Sequence, residues 1–387
     1  MEQSRYRTYA SVDLSAIRHN FNTIRSLLRP SCKIMSVIKA DGYGHGAVPT
    51  ARCLWDSDYF GVACRDEATA LREQGITSPI LILGYTDPRE APLLSEASIT
   101  QCVFSEEYAL ALQESLRDGQ TLKVHLKIDT GMSRLGFYLH GTDEIEETAQ
   151  QIADLIKKTP NLRYEGIFTH FTTSETEKSP ETEEQFSLFC ALLDDLKDRG
   201  VTFDLRHCAN SGATLLHPET HLDMVRPGIA LYGYTPFPEG ERFGLRPALE
   251  LKAYVAQVHH IRKGDTVSYN RTFRAEKDMD VATVCIGYGD GLHRVLSNGS
   301  PVLVNGRRTR ILGRICMDQC IVDVTGIPTE AGDVVTLLGK DGDQTVTAWE
   351  MADHAQTIHY EILCSIGKRI PKIYPPSAEE AEHENRN

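Results

Sequence analysis

Short apolar runs recur through the first part of the chain, at 34–38, 59–64, 79–83, 99–104, 122–128, 162–168, 203–208 and 222–225. Each is too short for a buried helix and is bounded by polar or turn-forming residues. Each therefore reads as a strand buried on both faces. Helical stretches such as 106–116, 144–158 and 184–199 lie between them. Ahead of the first run, Leu14, Ile17, Phe21, Ile24 and Leu28 mark one apolar helix face, stopped by Pro30. Eight strand–helix repeats over about 200 residues predict a (β/α)8 TIM-type barrel. A doubly wound open sheet is the structural alternative, with fewer strands and a Gly-rich nucleotide turn after the first. The run Gly42-Tyr43-Gly44-His45-Gly46 lacks that spacing.

The pattern changes near Pro236-Phe237-Pro238-Glu239-Gly240, which reads as a linker. Beyond it apolar residues alternate with period two, at 249–261, 281–287, 302–304, 321–324 and 334–338, with turns such as Lys263-Gly264-Asp265 and Asn305-Gly306 between. The expected domains are a barrel over 1–238, a mainly β domain over 239–376 and a disordered, glutamate-rich tail over 377–387.

The net charge of −13 argues against a nucleic-acid or anionic-membrane partner, since both recruit basic patches. No apolar segment has the length of a signal peptide or a membrane span, so the expected location is the cytoplasm. Ten cysteines without a paired framework are expected to be free and buried. Cys316 and Cys320 form a CxxxC with no second pair, so no metal site is expected.

In a barrel, catalytic groups sit at the C-terminal ends of strands. The residues just past the expected strand ends are Lys39, Asp129 with Arg134 close behind, His170, Asn210-Ser211, and Arg226-Pro227-Gly228. Lys39 leaves a buried strand and enters a Gly-rich loop. That placement suits a Schiff-base lysine, whose amine must be brought down from its usual pKa of about 10.4 by burial or nearby cations. A strand-end lysine reaching solvent is the plainer reading. Asn210-Ser211-Gly212 and Pro227-Gly228-Ile229 follow the last two strands, where barrels bind phosphate, although both could be ordinary helix caps. Arg226 would either pair with a core carboxylate or face a ring nitrogen of a cofactor. Arg134 would fix a carboxylate or lie exposed in its loop. Tyr269 and Tyr288, in the β domain, read by themselves as packing tyrosines.

Taken in order, these stretches resemble the alanine racemase family of fold-type III pyridoxal-phosphate enzymes. The resemblance runs through Val37-Ile38-Lys39-Ala40-Asp41-Gly42-Tyr43-Gly44-His45-Gly46, Lys127-Ile128-Asp129-Thr130-Gly131-Met132 and Phe168-Thr169-His170-Phe171. It continues through Met224-Val225-Arg226-Pro227-Gly228-Ile229-Ala230-Leu231-Tyr232-Gly233, Gly313-Arg314-Ile315-Cys316-Met317-Asp318-Gln319 and His359-Tyr360-Glu361-Ile362. It implies two-base interconversion of L- and D-alanine, supplying D-alanine for peptidoglycan, with pyridoxal 5'-phosphate as cofactor. Lys39 would hold the cofactor and act as one base. Tyr269, supplied by the other subunit of a homodimer, would be the second. Tyr43, Asn210, Ser211, Gly228, Ile229 and Tyr360 would hold the phosphate. His170 and Arg226 would stand behind Tyr269, with Arg226 facing the pyridine nitrogen. Arg134 and the Met317 N–H would bind the substrate carboxylate. Lys127, Tyr288 and Asp318 would line the entrance or support the site, and some family members carbamylate the lysine matching Lys127.

Departures from the family pattern are Gly42 and Gly289, where alanine is common, Asn270-Arg271, where glycine is usual, and Thr172-Thr173-Ser174 after His170-Phe171. A serine or broad-specificity amino-acid racemase is the alternative on the same scaffold. A basic-amino-acid decarboxylase shares the architecture but lacks matching motifs here. A non-catalytic pyridoxal-phosphate carrier would be a barrel alone.

Overall fold

The apolar runs become strands because their residues are buried on both faces, as a parallel sheet covered by helices requires. A computed structural model describes residues 6–238 and 240–376. The tail expected at 377–387 lies outside the described residues, as does Glu239 of the linker. Two compact units are present. One comprises residues 16–42 and 47–246. The other comprises 6–15, 43–46 and 247–376.

In the first unit the strand order is Met224–Val225, Lys33–Val37, Tyr59–Val62, Ile80–Ile82, Ile99–Val103, Leu122–Asp129, Leu162–Phe168 and Leu205–His207, all parallel. The two end strands of this series have no ladder, but backbone bonds cross between their segments. Asp223 N–H donates to the Arg206 carbonyl at 3.0 Å, and Arg226 N–H to the Ala209 carbonyl at 2.8 Å. The sheet thus closes into a near-barrel, with all eight expected strands present. Helices between the strands are set by their caps. The Ser105 side chain accepts from Tyr108 N–H to start Glu106–Ser115, and Ser179 accepts from Thr182 N–H to start Pro180–Asp198, with proline in its first turn. Ile145–Lys158 buries a stripe of Ala149, Ile152, Ala153 and Leu155 and ends on Lys157 and Lys158, which complement the helix dipole.

The second unit is mainly antiparallel. Leu249–Ile261 is its spine. It pairs with Thr8–Val12 and Val334–Asp341 along its first half and with Met279–Val284 along its second. Register shifts between Leu251 and Lys252 and between Val255 and Gln257 let one strand serve both ends. From Val334–Asp341 the ladder continues through Pro301–Val304, Arg307–Leu312, Cys320–Asp323 and Met279–Val284 and returns to the spine, closing a ring. Thr8–Val12 falls within 1–238 yet belongs to this unit, pairing Thr8 with Ala253 and Val12 with Leu249. Its alternating burial explains the placement.

None of the ten cysteines is in a disulfide, but burial is not uniform: Cys32, Cys102, Cys208 and Cys320 are buried, while Cys64 and Cys364 are exposed. Among the described residues no helix is long and apolar enough to cross a membrane, and no group of three or more His, Cys, Asp or Glu is arranged to hold a metal.

Candidate active site

The C-terminal ends of the barrel strands collect the charged groups. Lys39 opens a tight turn after Lys33–Val37, in which Ala40, Asp41, Gly42 and Tyr43 all have φ between 52° and 63°. This is one turn of left-handed helix, which costs a non-glycine residue about 1–2 kcal/mol. Gly42 carries no such cost, which accounts for glycine where the family often has alanine. The turn is pinned from outside: Ala40 N–H donates to Glu67 at 2.7 Å, and Asp41 accepts from Ala47 N–H at 2.9 Å. Strain held in this way marks functional loops.

The loop after Leu122–Asp129 is organised by Asp129. Its Oδ1 accepts the Gly131 and Ser133 amides at 3.0 Å each, and its Oδ2 accepts the Arg134 amide at 2.9 Å. Burial pushes the Asp129 carboxyl up, but these amides and His140 outweigh it and hold the group below the usual carboxylate range. Arg134 leaves this loop with its side chain exposed. Lys127, two residues before Asp129, is buried. Its Nζ donates to the Ile128 carbonyl at 2.9 Å and lies 5.3 Å from the Phe168 ring centre. Desolvation first, and then the Arg226 charge, lowers its pKa to about 7.

Arg226 is buried, and among the described residues it pairs with no carboxylate, against the salt-bridge reading. Its Nη2 donates to the carbonyls of Thr169 at 2.8 Å and Cys208 at 3.0 Å. Its Nη1 meets His207 Nδ1 at 3.0 Å, and Nη2 meets His170 Nδ1 at 3.3 Å. Arginine can only donate, so both imidazole Nδ1 atoms accept and both rings carry their proton on Nε2. Desolvation and the Arg226 charge hold His170 and His207 well below the ordinary histidine pKa, so both are neutral. Arg226 itself, lowered to about 10 by desolvation, stays charged. Its Nε–H has no acceptor among the described residues.

The last two strands end in loops that share donors. Asn210 caps Ser211–Leu216 by accepting from Ala213 N–H at 3.0 Å, and is held by the Ser174 hydroxyl at 2.8 Å. Thr172 donates from its amide and hydroxyl to Gln185, each at 3.0 Å. The hydroxyls that depart from the family pattern after Phe171 are therefore used. Ser211 Oγ accepts the Gly228 amide at 2.9 Å, leaving its own proton to donate outward. The amides of Ser211, Gly212 and Ile229 make no hydrogen bond among the described residues. A Cβ on Gly212 would lie 2.4 Å from the Ser174 carbonyl oxygen, so only glycine lets the loops approach. A cluster of unspent N–H and O–H donors, in the same unit as the cationic Arg134 and Arg226 side chains, fits a phosphate dianion. The Arg226 Nε–H fits an acceptor such as a pyridine nitrogen. The residues present therefore fit pyridoxal 5'-phosphate.

The β unit carries the other expected residues. Tyr43 and Tyr360 have ring centres 6.1 Å apart. Tyr269 is 65 % exposed, Met317 53 % and Tyr288 42 %. These are not packing tyrosines. Ser268, Asn270 and Arg271 have φ of 61°, 60° and 50°, which explains why glycine is usual beside Tyr269 and shows that this chain tolerates strain there. The Met317 N–H makes no hydrogen bond among the described residues, and Asp318 is paired to Arg369 at 2.7 Å. The barrel unit thus gathers Lys39, Lys127, Arg134, His170, Asn210, Ser211, Arg226, Gly228 and Ile229. The β unit holds Tyr43, Tyr269, Tyr288, Met317, Asp318 and Tyr360. The organising roles of Asp129, His207 and Gln185 escape sequence reading. Only the position of Asp129 at a strand end hints at one.

The family model for the alanine racemase N-terminal domain matches residues 12–236, and that for the C-terminal domain matches 248–374. The chain is 45 % identical to the alanine racemase of Desulfovibrio desulfuricans, over 95 % of this chain and 97 % of that one. It is 42 % identical to the alanine racemase of Methanococcus maripaludis, over 95 % and 98 %. Among solved structures it is similar to the alanine racemase of Bacillus anthracis with bound L-Ala-P, at 36 % identity and a TM-score of 0.91 over 97 % of each chain. The alanine racemase of Clostridium difficile 630 gives 37 % identity and a TM-score of 0.90, also over 97 % of each. With both halves matched and the order of motifs kept from end to end, the chain belongs to the alanine racemase family.

Proposed function

We propose that this chain interconverts L- and D-alanine, with pyridoxal 5'-phosphate as cofactor, and thereby supplies D-alanine for peptidoglycan in the cytoplasm. Bound at the barrel mouth, the cofactor supplies an electron sink that acidifies the α-proton of the amino acid. Lys39 holds the cofactor, and its Nζ removes and returns the proton on one face. Tyr269 Oη, from a second copy of the chain, does so on the opposite face. A phenol has a pKa near 10 and needs a donor to stabilise its charged form. His170, with its Nδ1 taken by Arg226, presents its Nε2–H as that donor.

The observation that carries the reading is the Arg226 hub. The fold engages both Nη groups and leaves the Nε–H without an acceptor among the described residues. A charged arginine facing the pyridine nitrogen keeps that nitrogen unprotonated and limits side reactions that need a fully delocalised carbanion. Ser211, Gly228 and Ile229, with Asn210 fixing their loop, hold the phosphate. The family pattern assigns Tyr43 and Tyr360 to it as well. Arg134 and the Met317 N–H take the substrate carboxylate, while Tyr288 and Asp318 border the entrance. The exposure of Tyr269, Tyr288 and Met317 supports a homodimer with shared sites. The neutral amine that burial favours at Lys127 is the form that adds carbon dioxide, which supports its carbamylation. A carbamate signal in 13C spectra of protein equilibrated with labelled bicarbonate, absent in Lys127→Ala, checks this.

The direct test is chiral chromatography of L-alanine and, separately, L-serine after incubation with protein and pyridoxal phosphate. D-alanine as the dominant product supports the reading. Turnover of L-serine without L-alanine contradicts it.

A further inference from the structure

A carboxylate lies fully buried behind the Met317 turn of the β unit. Asp290 Oδ2 accepts the Gly287 N–H at 3.0 Å. Its Oδ1 is ion-paired to Arg7 and lies 3.5 Å from Arg369 Nε. Arg369 also donates from Nη2 to Asp318 Oδ1 at 2.7 Å. Arg7 donates from Nη1 to the carbonyls of Cys285 at 2.6 Å and Asp318 at 3.3 Å. One buried carboxylate therefore orders two arginines, which together hold the side chain and the backbone of Asp318.

The segment carrying Asp290 grips the same turn directly. Tyr288 N–H donates to the Cys316 carbonyl at 3.0 Å, and Gly289 N–H to the Met317 carbonyl at 2.8 Å. There is no slack between them. A Cβ at Gly287 would lie 2.3 Å from the Cys316 oxygen, and one at Gly289 would lie 2.5 Å from Arg369 Nη1. Glycine at 289, where the resemblance has alanine as common, leaves the space that Arg369 occupies.

We propose that Asp290 is a positioning residue for the substrate carboxylate. Through Arg7 and Arg369 it fixes the Met317-Asp318 turn, so that the Met317 N–H is presented as a preoriented donor. The inference rests on the assignment of that N–H under the proposed function. Asp290→Asn keeps the shape and an acceptor for Gly287 N–H but removes the charge, leaving Arg7 without this carboxylate partner and Arg369 with Asp318 alone. The turn then loses its orientation while the barrel residues are untouched.

The test uses the holoenzyme variants Asp290→Asn and Arg369→Met, with Met317→Pro to delete the N–H itself. Three quantities are read: KM and kcat for L-alanine, the inhibition constant of propionate as a bare carboxylate probe, and the rate at which hydroxylamine, which has no carboxylate, releases the cofactor. The expected result is a rise of about fivefold or more in KM and in the propionate constant, with kcat and the hydroxylamine rate within about twofold of the parent. Gly289→Ala shifts the same two quantities in the same direction by less. If Asp290→Asn does not fold, Arg369→Met decides. Unchanged propionate binding in a folded charge variant, with binding lost in Met317→Pro, overturns the positioning role alone. Propionate binding that survives Met317→Pro overturns the N–H assignment and the positioning role with it.

Discussion

The barrel mouth and the exposed segments of the β unit, to which the proposed function assigns the two halves of one chemistry, are in opposite physical states. At the mouth, Arg226, Lys127, Ser211 and His207 are buried and tied to fixed partners. In the β unit, Tyr269, Tyr288 and Met317 are exposed. The first half is organised by its own chain down to the tautomers of its histidines. The second presents prepared groups with nothing among the described residues to act on. Under the proposed function, the lysine base and most of the cofactor contacts belong to the barrel unit, whereas Tyr43, Tyr360 and the second base Tyr269 belong to the β unit.

Breaking the buried half should have the largest effect. Lys39→Ala should lower racemisation by about 10⁴-fold or more, because holding and proton transfer are lost together. Borohydride reduction followed by mass measurement should find no cofactor attached. Tyr269→Phe should lower racemisation by about 10²–10⁴-fold while leaving cofactor attachment at the parent level, which separates the two halves. Near-parent rates in this variant would remove Tyr269 from the mechanism.

Arg226→Met tests whether the mouth is as preorganised as its bonds suggest. It strips donors from the Thr169 and Cys208 carbonyls and from His207, at about 1–3 kcal/mol for a buried group left unsatisfied, and urea unfolding should show a loss of that order. Gly212→Ala should cost about 1–3 kcal/mol through overpacking against Ser174 and should weaken phosphate affinity, read from cofactor titration.

The smallest effect is on pH dependence. His170 and His207 have folded pKa values well below the ordinary one, so the unfolded chain binds more protons just below pH about 6.5. Stability should therefore fall as pH is lowered from about 6.5 toward 5. Lys127, with a folded pKa of about 7, adds a rise in stability from about pH 7 to about 10.5. The urea midpoint of His207→Gln should lose part of the acid-side slope.

The barrel was legible because its strands are apolar on both faces and separated by turn residues, and each expected run holds a strand. The β unit was only partly legible. Arg307–Leu312 carries Arg307, Arg308 and Arg310 as exposed side chains, so its pattern hides the strand. Thr8–Val12 pairs with a segment far along the chain, which no local signal marks. The site followed the same division. Residues at strand ends, such as Lys39 and Arg226, could be placed from topology. Asp290 could not, since its partner Arg7 lies 283 residues away. The acceptors of Arg226 were unreadable for the same reason, and only the fold decides between a carboxylate and the carbonyls and imidazoles it meets.

The claim that the two halves work in different copies is tested most directly by complementation. Lys39→Ala and Tyr269→Phe, each inactive alone, are unfolded together, refolded as a mixture and assayed for D-alanine formation. If Tyr269 serves the other copy, each mixed dimer holds one complete site, and random pairing restores about one quarter of parent activity. If Tyr269 serves its own chain, every site in every dimer lacks a base, and no activity returns.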